Sequence, residues 1–409
     1  MSKKHKIPSY YAWFIIIALL PQILRFNGSV LDSVFKIFLI GVLSLQLFNK
    51  AMIRYANNFT VIYLMLLVIS KIMTFCINGD NLGSTLENFI ITILLFYLFY
   101  VSPTHVNVLS QENVFRFYSI YVYFMIIACL YNMLIHFNSL IHLTSLTVYN
   151  TESICSFFDN KNTFGVFLLF AVLAATILKI QTRKLRWSLF IVVCIVNELM
   201  ALCRTAIVIS IILLILGMIA DVEHRIRNIF FIAVCAGVLM LILGRVSAVN
   251  SYITETLFGN TQSLDTRNNY VENMLPLLRG EHLLFGYGDS QAEELALSLT
   301  GNQYYHNTYL KLLISGGILR FGLHISALII SFLYGIKTYI YNKTMGILCI
   351  ISTAVYIVYA YVESVILFDT PVIAMLATIF VITMPILLYN VYFGQAKDLN
   401  KNDWEKNRV

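Results

Sequence analysis

The sequence is divided into long apolar runs, each about as long as a lipid bilayer is thick. A helix needs roughly 20 mostly apolar residues to cross the hydrocarbon core, which is about 30 Å thick. Of the 409 residues, 59% are hydrophobic and only 12% are charged. A water-soluble domain of this composition would expose large apolar patches. The runs therefore predict an all-α integral membrane protein.

The apolar runs predict about twelve transmembrane helices. Their approximate limits are residues 10–25, 30–49, 58–77, 85–102, 115–136, 162–179, 187–203, 205–220, 228–247, 312–335, 344–363 and 371–392. The first run follows Lys3, Lys4 and Lys6, as the apolar part of a signal peptide would. Because no small-residue cleavage site follows, we expect it to remain as the first helix.

The basic residues indicate which helix ends face the cytoplasm. Short cytoplasmic loops accumulate lysine and arginine, and alternate loops here do so, as do both ends of the chain. The loop with Arg183, Lys184 and Arg186 is one of them. We expect these residues to determine topology and to contact lipid phosphates. Both termini are therefore predicted to be cytoplasmic.

Cysteine and charge patterns indicate which other sites to expect. Cys129, Cys194, Cys235 and Cys349 lie in apolar runs, and no Cys-x-x-Cys or Cys/His ligand spacing occurs. Neither a disulfide framework nor a metal site is therefore predicted. The net charge of +7 lies mostly in one set of loops, so it indicates topology and no nucleic-acid partner.

The longest polar segment is predicted to be one large extracytoplasmic loop between helices 9 and 10. The predicted layout is helices 1–9 in residues 1–247, the loop in 248–311, helices 10–12 in 312–392 and a cytoplasmic tail in 393–409. Acidic residues dominate the loop, but it also holds Arg267 and Arg279. These arginines either form surface ion pairs, with Asp265 or Glu272 for example, or bind an anionic ligand.

Three more residues on the predicted outer side suit chemistry. Arg204 lies at a tight turn between two apolar runs, where a charge costs up to about 3 kcal/mol in the membrane. It either faces a partner or extends to outer headgroups. His306 begins the helix after the loop, where a neutral imidazole could accept a proton from a hydroxyl; the alternative is a hydrogen-bonded anchor. Lys161 follows a predicted N-cap on the same side.

In this order, these segments resemble the O-antigen polymerase and O-antigen ligase (Wzy/WaaL) family of bacterial polysaccharide assembly. The matching motifs are Phe158, Lys161, Asn162 and Gly165; Cys203-Arg204-Thr205-Ala206; Arg267; Leu284-Phe285-Gly286-Tyr287-Gly288; and His306-Asn307-Thr308-Tyr309-Leu310 before Gly316-Gly317. Two residues depart from the family pattern. Cys203 replaces a serine, and Arg320 stands in a normally apolar helix, as either a phosphate contact or a snorkelling side chain.

The resemblance implies a GT-C-like, metal-independent glycosyltransferase in the bacterial cytoplasmic (inner) membrane. Its donor would be a glycan on undecaprenyl pyrophosphate, and its acceptor a hydroxyl on another lipid-linked repeat unit. This is the activity of a polymerase for lipopolysaccharide O-antigen or capsule. A chain-length regulator and a flippase would be its partners besides membrane lipid, and no cofactor is expected.

The implied catalytic residues are His306, Arg204 and Arg267. The arginines would stabilise the departing pyrophosphate, and His306 would accept the proton of the attacking hydroxyl. The predicted substrate-binding residues are Arg279, Asn307, Tyr309, Tyr305, Lys161, Asn162 and Arg320. The tyrosines either stack on sugars or belong to the interfacial aromatic belt. Glu363 and Asp369 are acidic candidates to orient His306, although nothing in the sequence places them nearby.

Three other functions stay open. An O-antigen ligase of the same family shares these motifs. A flippase or another transporter typically has twelve spans, but the two similar halves usual in transporters are not evident. A purely structural or sensory membrane protein is the third alternative.

Overall fold

The computed structural model of the protein describes residues 7–24, 30–47, 58–78, 82–105, 110–143, 151–245, 271–301 and 304–406. Throughout these residues the regular structure is helical, without a β-strand. The predicted all-α membrane protein is therefore confirmed.

The helices follow one another closely along the chain. The α-helices are α1 Ile7–Ala18, α2 Leu20–Ile23, α3 Val30–Leu47, α4 Asn58–Asn78, α5 Leu82–Phe96, α6 Ser102–Thr104, α7 Gln111–Ile135, α8 Phe137–Ile141, α9 Lys161–Thr182, α10 Leu185–Met200, α11 Arg204–Ala220, α12 Arg225–Arg245, α13 Glu281–Phe285, α14 Asp289–Thr300, α15 Thr308–Tyr341, α16 Lys343–Val362, α17 Val372–Thr378 and α18 Met384–Lys406. Single π-helical turns, Tyr97–Val101 and Ile379–Thr383, join α5 to α6 and α17 to α18.

Each predicted apolar run coincides with one of these helices or with a joined pair. Within the described ranges, six helices are long and apolar enough to cross a membrane by length and composition. They are α4, α7, α9, α15, α16 and the continuous segment Val372–Lys397. Two shorter apolar helices are Pro8–Ile23 and Phe89–Thr104. The total of twelve spans remains a prediction.

The helices α11 and α12 differ from the two separate spans that their apolar runs predict. The segments Arg204–Ala220 and Val222–Gly237 meet at a bend of 79°. Two spans joined in a hairpin would reverse direction by nearly 180°. By length and composition the two segments form either one span with a break or a re-entrant loop, and the break lies at Asp221.

Helix α9 lies at the centre of the bundle. Its sequence is apolar on every side from Phe164 to Leu178, which is typical of a helix surrounded by other helices. In its most apolar 18-residue window, 89% of the residues are buried. It packs against α7, α10 and α11, and α11 in turn packs against α16.

One end of this bundle carries the sequence motifs, and we call it the loop end. Helices α9, α11 and α15 begin there, and α10 and α16 end there, as the contacts of Cys203 with Lys161 and of Thr308 with Glu363 establish. At the opposite end, Arg183 forms ion pairs with Asp221 and Glu223. Arg183 therefore has protein partners besides any lipid phosphate.

Candidate active site at the loop end

The start of α11 packs directly against the start of α9 at Gly165. A Cβ atom at Gly165 would lie 2.8 Å from the Cβ of Cys203 and 3.3 Å from that of Ala206, so a glycine is needed for this approach. The Cys203 thiol donates a hydrogen bond to the carbonyl oxygen of Lys161, with an S···O distance of 2.8 Å. Two separate sequence motifs thus form one contact between helices.

This contact fixes the position of Arg204. The preceding Leu202 has a left-handed backbone with φ of 47°, and α11 begins immediately after Cys203. Arg204 is therefore the first residue of α11, where it is partly exposed. A helix N-terminus carries partial positive charge, so the guanidinium and the helix together make this turn attractive to an anion.

His306 lies just before α15 and contacts a carboxylate. Its Nδ1 atom is 3.3 Å from Oε2 of Glu363. The His306 side chain is 36% exposed and that of Glu363 is 16% exposed. One edge of the imidazole therefore faces the protein while part of the ring is accessible from outside.

The two residues after His306 hold the chain in place. The Asn307 side chain caps α15 by accepting the Leu310 amide at 3.0 Å. The Thr308 hydroxyl donates to the carbonyl oxygen of Glu363 and accepts the Val365 amide, both at 2.8 Å. The start of α15 is therefore tied to the end of α16. Asn307, predicted to bind substrate, is 8% exposed and acts here as a helix cap.

The helix packing places the Arg204 turn and the His306 segment at the same end of the bundle. Helix α11 runs away from the loop end, α16 runs toward it, and the two pack against each other. Helix α16 also packs along α15. Arg204, His306 and Glu363 therefore lie at the same ends of three adjacent helices.

The segment Gly286-Tyr287-Gly288 docks onto a break in α15. Gly317 has φ of 64° and interrupts the helix, which leaves the carbonyl oxygens of Ile314 and Ser315 able to accept bonds from outside. The amides of Tyr287 and Gly288 donate to them at 2.8 and 2.9 Å. The glycine motif of the loop and the glycine pair of the helix are thus two halves of one joint.

The glycines permit this joint because the backbones touch. A Cβ at Gly286 would lie 2.4 Å from the Gly316 nitrogen, and one at Gly317 would lie 2.3 Å from the Leu284 carbonyl carbon. The end of α4 supports the same segment, since the Thr74 hydroxyl donates to the Phe285 carbonyl oxygen at 2.7 Å. The loop is therefore held from two sides.

Arg320 binds a residue of the same loop. It donates to Oδ1 of Asp289 at 2.5 Å and to the Ser315 hydroxyl at 2.9 Å, while Lys71 lies 3.5 Å from Asp289 Oδ2. Burial raises the pKa of Asp289, but the charges of Arg320 and Lys71 outweigh burial, so its pKa lies below the usual value. Asp369 and Arg320 both line an adjacent cavity of about 40 Å³.

The other predicted substrate-binding residues are more scattered. Lys161 is 7% exposed, with its ammonium 2.6 Å from Glu152, whereas Asn162 and Arg279 are exposed. Tyr305 is 1% exposed and donates its hydroxyl to the Ala292 carbonyl oxygen. Its ring is covered by protein and offers no face for a sugar to stack on.

Tyr309 and Arg267 complete the predicted set. The Tyr309 hydroxyl donates to the Ile357 carbonyl oxygen at 2.9 Å, and its ring lines an apolar cleft between α15 and α16. Arg267, predicted to stabilise the leaving group, lies outside the described residues.

Of the two acidic candidates to orient His306, the structure brings Glu363 into contact with the imidazole. Because Glu363 follows an apolar run, the sequence predicts that it lies on the outer side of the membrane. The sequence does not predict which residues it contacts. His306 and Glu363 are separated by 57 positions, and only the packing of α15 on α16 brings them together. The pairing of Arg320 with Asp289 was equally unexpected, since both predicted alternatives for Arg320 placed it in contact with lipid or phosphate.

Residues 189–325 match the family model described as O-antigen ligase. The predicted resemblance to the Wzy/WaaL family is thereby confirmed, and the match does not separate polymerases from ligases. No curated protein matches the chain.

The O-antigen ligase family domain extends from α10 into α15 and includes Arg204, Arg267 and His306. It begins after Lys161 and ends before Glu363. The apolar helices indicate a multi-pass membrane protein, and the match over residues 189–325 supports a role in O-antigen processing.

Proposed function

We propose that the protein is a polysaccharide polymerase that transfers a growing glycan from undecaprenyl pyrophosphate to a hydroxyl of a lipid-linked repeat unit. The observation that carries this proposal is His306, which lies in the O-antigen ligase family domain at the loop end with Nδ1 against Glu363. This geometry suits the abstraction of a proton from a hydroxyl.

The reaction forms a bond from the acceptor oxygen to the anomeric carbon of the donor sugar. The bond from that carbon to the pyrophosphate oxygen breaks, and its electron pair leaves with undecaprenyl pyrophosphate. His306 accepts the proton from the acceptor hydroxyl. A positioned acid or base of this kind contributes about 10²- to 10⁴-fold to a rate.

Negative charge develops on the departing pyrophosphate, and fixed cations stabilise it. Arg204 at the N-terminus of α11 is one such cation, and we assign Arg267 to the same role. Guanidinium groups match the geometry of phosphate oxygens and stay charged at every physiological pH. Removing one preorganised donor typically costs about 10²- to 10³-fold in rate.

An apolar cleft supports a prenyl-linked donor. The cleft has a volume of about 420 Å³ and is lined by Tyr309, Phe321, Ile325, Leu328, Ile329, Phe332, Leu333, Thr353 and Ile357. From Phe321 to Leu333 it follows α15 for roughly 18 Å, given a rise of 1.5 Å per residue. Tyr309 lies one turn from His306, so a prenyl chain in the cleft would bring its pyrophosphate to the loop end.

We propose that the loop end faces outward from the bacterial cytoplasmic membrane and that both termini are cytoplasmic. The basic residues Arg183 and Lys184 lie between α9 and α10, and Arg186 lies in the first turn of α10, at the other end of the bundle, in agreement with the cytoplasmic bias of lysine and arginine.

In vitro polymerisation of a purified lipid-linked repeat unit tests this function. The wild-type protein should extend the repeat unit to a ladder of glycans with or without a chelator. Arg204→Ala, Arg267→Ala and His306→Ala should each lose long glycans while inserting normally. Lys184→Ala is the control and should leave glycan length unchanged. Full-length glycans from all three variants would contradict the assignment.

Ligation to a terminal acceptor is the alternative within the family, because the family match covers both activities. A deletion strain separates them: loss of a polymerase leaves single repeat units on the acceptor, whereas loss of a ligase leaves long glycans on the lipid carrier. Consumption of lipid-linked substrate by purified protein without an ion gradient would exclude a flippase.

A further inference from the structure

We infer that Glu363 is the positioning residue of His306, holding its imidazole so that Nε2 faces the acceptor hydroxyl. This inference rests on the proposed function, in which His306 accepts a proton. The sequence offers Glu363 and Asp369 as candidates without placing either near His306, and the O-antigen ligase family match ends at residue 325, well before Glu363.

The contact determines which nitrogen of His306 is basic. A carboxylate can only accept a hydrogen bond, so the Nδ1 atom 3.3 Å from Glu363 Oε2 carries the proton. In a neutral imidazole the other nitrogen, Nε2, then has the free electron pair. This arrangement has the logic of a base oriented by a third group.

Both partners of the pair are fixed independently of the contact between them. Glu363 caps α16 through its amide, which donates to the Tyr359 carbonyl oxygen at 3.0 Å, and its own carbonyl oxygen accepts the Thr308 hydroxyl. Thr308 is two residues from His306. The side chains therefore meet across a rigid junction between α15 and α16 and not across a loose loop.

The backbone of His306 agrees with a positioning role. Its φ of 45° is left-handed, a conformation that residues other than glycine rarely adopt and that persists where the surroundings impose it. The imidazole in this conformation lies against Glu363 at the end of α16.

Asp369 provides a matched comparison within the same loop. It carries the same charge and follows the same helix, α16, but it lines the cavity beside Arg320 and Lys71. If the loop needs only negative charge or rigidity, Asp369 and Glu363 should matter alike. If Glu363 acts through His306, only Glu363 should affect the chemical step.

The test measures kcat and KM of purified protein with a lipid-linked repeat unit for Glu363→Gln, Glu363→Asp, Asp369→Asn and His306→Ala. We expect kcat of Glu363→Gln to fall about a hundredfold or more, because glutamine keeps the shape but can present its amide hydrogens to Nδ1. Its KM should stay within about twofold, since the proposed role of Glu363 is exerted through His306. Glu363→Asp keeps a carboxylate and should recover part of the lost kcat.

The outcomes separate this inference from the proposed function. If His306→Ala is inactive and Glu363→Gln is fully active, the proposed function is retained and the role of Glu363 is overturned. Equal losses of kcat in Glu363→Gln and Asp369→Asn, or no recovery in Glu363→Asp, would also overturn it, since both indicate a structural effect. A fully active His306→Ala would overturn the proposed function, and this inference with it.

Discussion

The thiol of Cys203 donates to the Lys161 carbonyl oxygen at 2.8 Å, and a serine hydroxyl at the same position could make the same contact. The departure from the family motif therefore preserves the hydrogen bond that holds α11 to α9. What the contact requires is a small donor opposite Gly165, where a Cβ would already meet Cys203.

We expect Cys203→Ser to keep near-normal activity, because serine replaces one donor by another of similar size. Cys203→Val should reduce activity and thermal stability, because valine leaves the Lys161 carbonyl oxygen without this donor and adds a methyl group against Gly165. Glycan length and the unfolding temperature of the purified protein would measure both effects. Cys76→Ser, at an exposed cysteine, is the control. Loss of activity in Cys203→Ser would show that the thiol itself is needed.

Gly317 joins two elements, since its left-handed backbone breaks α15 where the loop segment Gly286-Tyr287-Gly288 docks. Gly317→Ala should destabilise the protein by about 1 to 3 kcal/mol, because a Cβ there would lie 2.3 Å from the Leu284 backbone. Gly322→Ala lies on the same helix with nothing within 4 Å of its Cβ and should be neutral or slightly stabilising. Thermal unfolding in detergent compares the two variants. Equal melting temperatures would show that the contact between Gly317 and the loop segment does not stabilise the protein.

The ion pairs of Asp289 tie the start of α14 to α4 and α15, and their effect should depend on pH. The pKa of Asp289 is lowered in the folded protein, so its stabilising contribution is complete above the unfolded value of about 3.9 and declines as the pH falls below it. The difference in unfolding temperature between wild type and Asp289→Asn should be constant from about pH 5 to 8 and shrink below about pH 4. A difference that instead vanished between pH 8 and 5 would contradict this.

The sequence predicts the helices well because run length and composition determine whether a helix crosses lipid. The all-round apolar pattern of α9 likewise indicates its central position. The contacts between these elements could not be predicted from the sequence. Gly286 and Gly317 are identifiable as glycines, but their contact depends on the path of the chain between α12 and α15. The pairing of His306 with Glu363 depends in the same way on how α15 and α16 pack.

The whole bundle adds information that no motif contains. The apolar runs of α11 and α12 predict two separate spans but no angle between them, and the helices meet at 79°. Periodicity describes one helix at a time, so it cannot give the angle between two. The cleft between α15 and α16 is a similar case: its lining residues are ordinary apolar residues of two spans, and their arrangement becomes visible only when both helices are placed.

Filling that cleft should affect how the protein handles long prenyl chains. Ile329 lines the cleft and is 55% exposed, so Ile329→Trp would occupy its volume without disturbing the buried core. We expect a several-fold rise in KM for a donor with a full-length prenyl chain. A donor with a chain of two or three isoprene units, too short to reach Ile329 from the loop end, should show little change. Ile340→Trp is the control because Ile340 lies on the same helix, 72% exposed and outside the cleft lining. An equal rise in KM for both donors would show that Ile329→Trp disturbs the active site itself. That result would contradict the binding of the prenyl chain in the cleft.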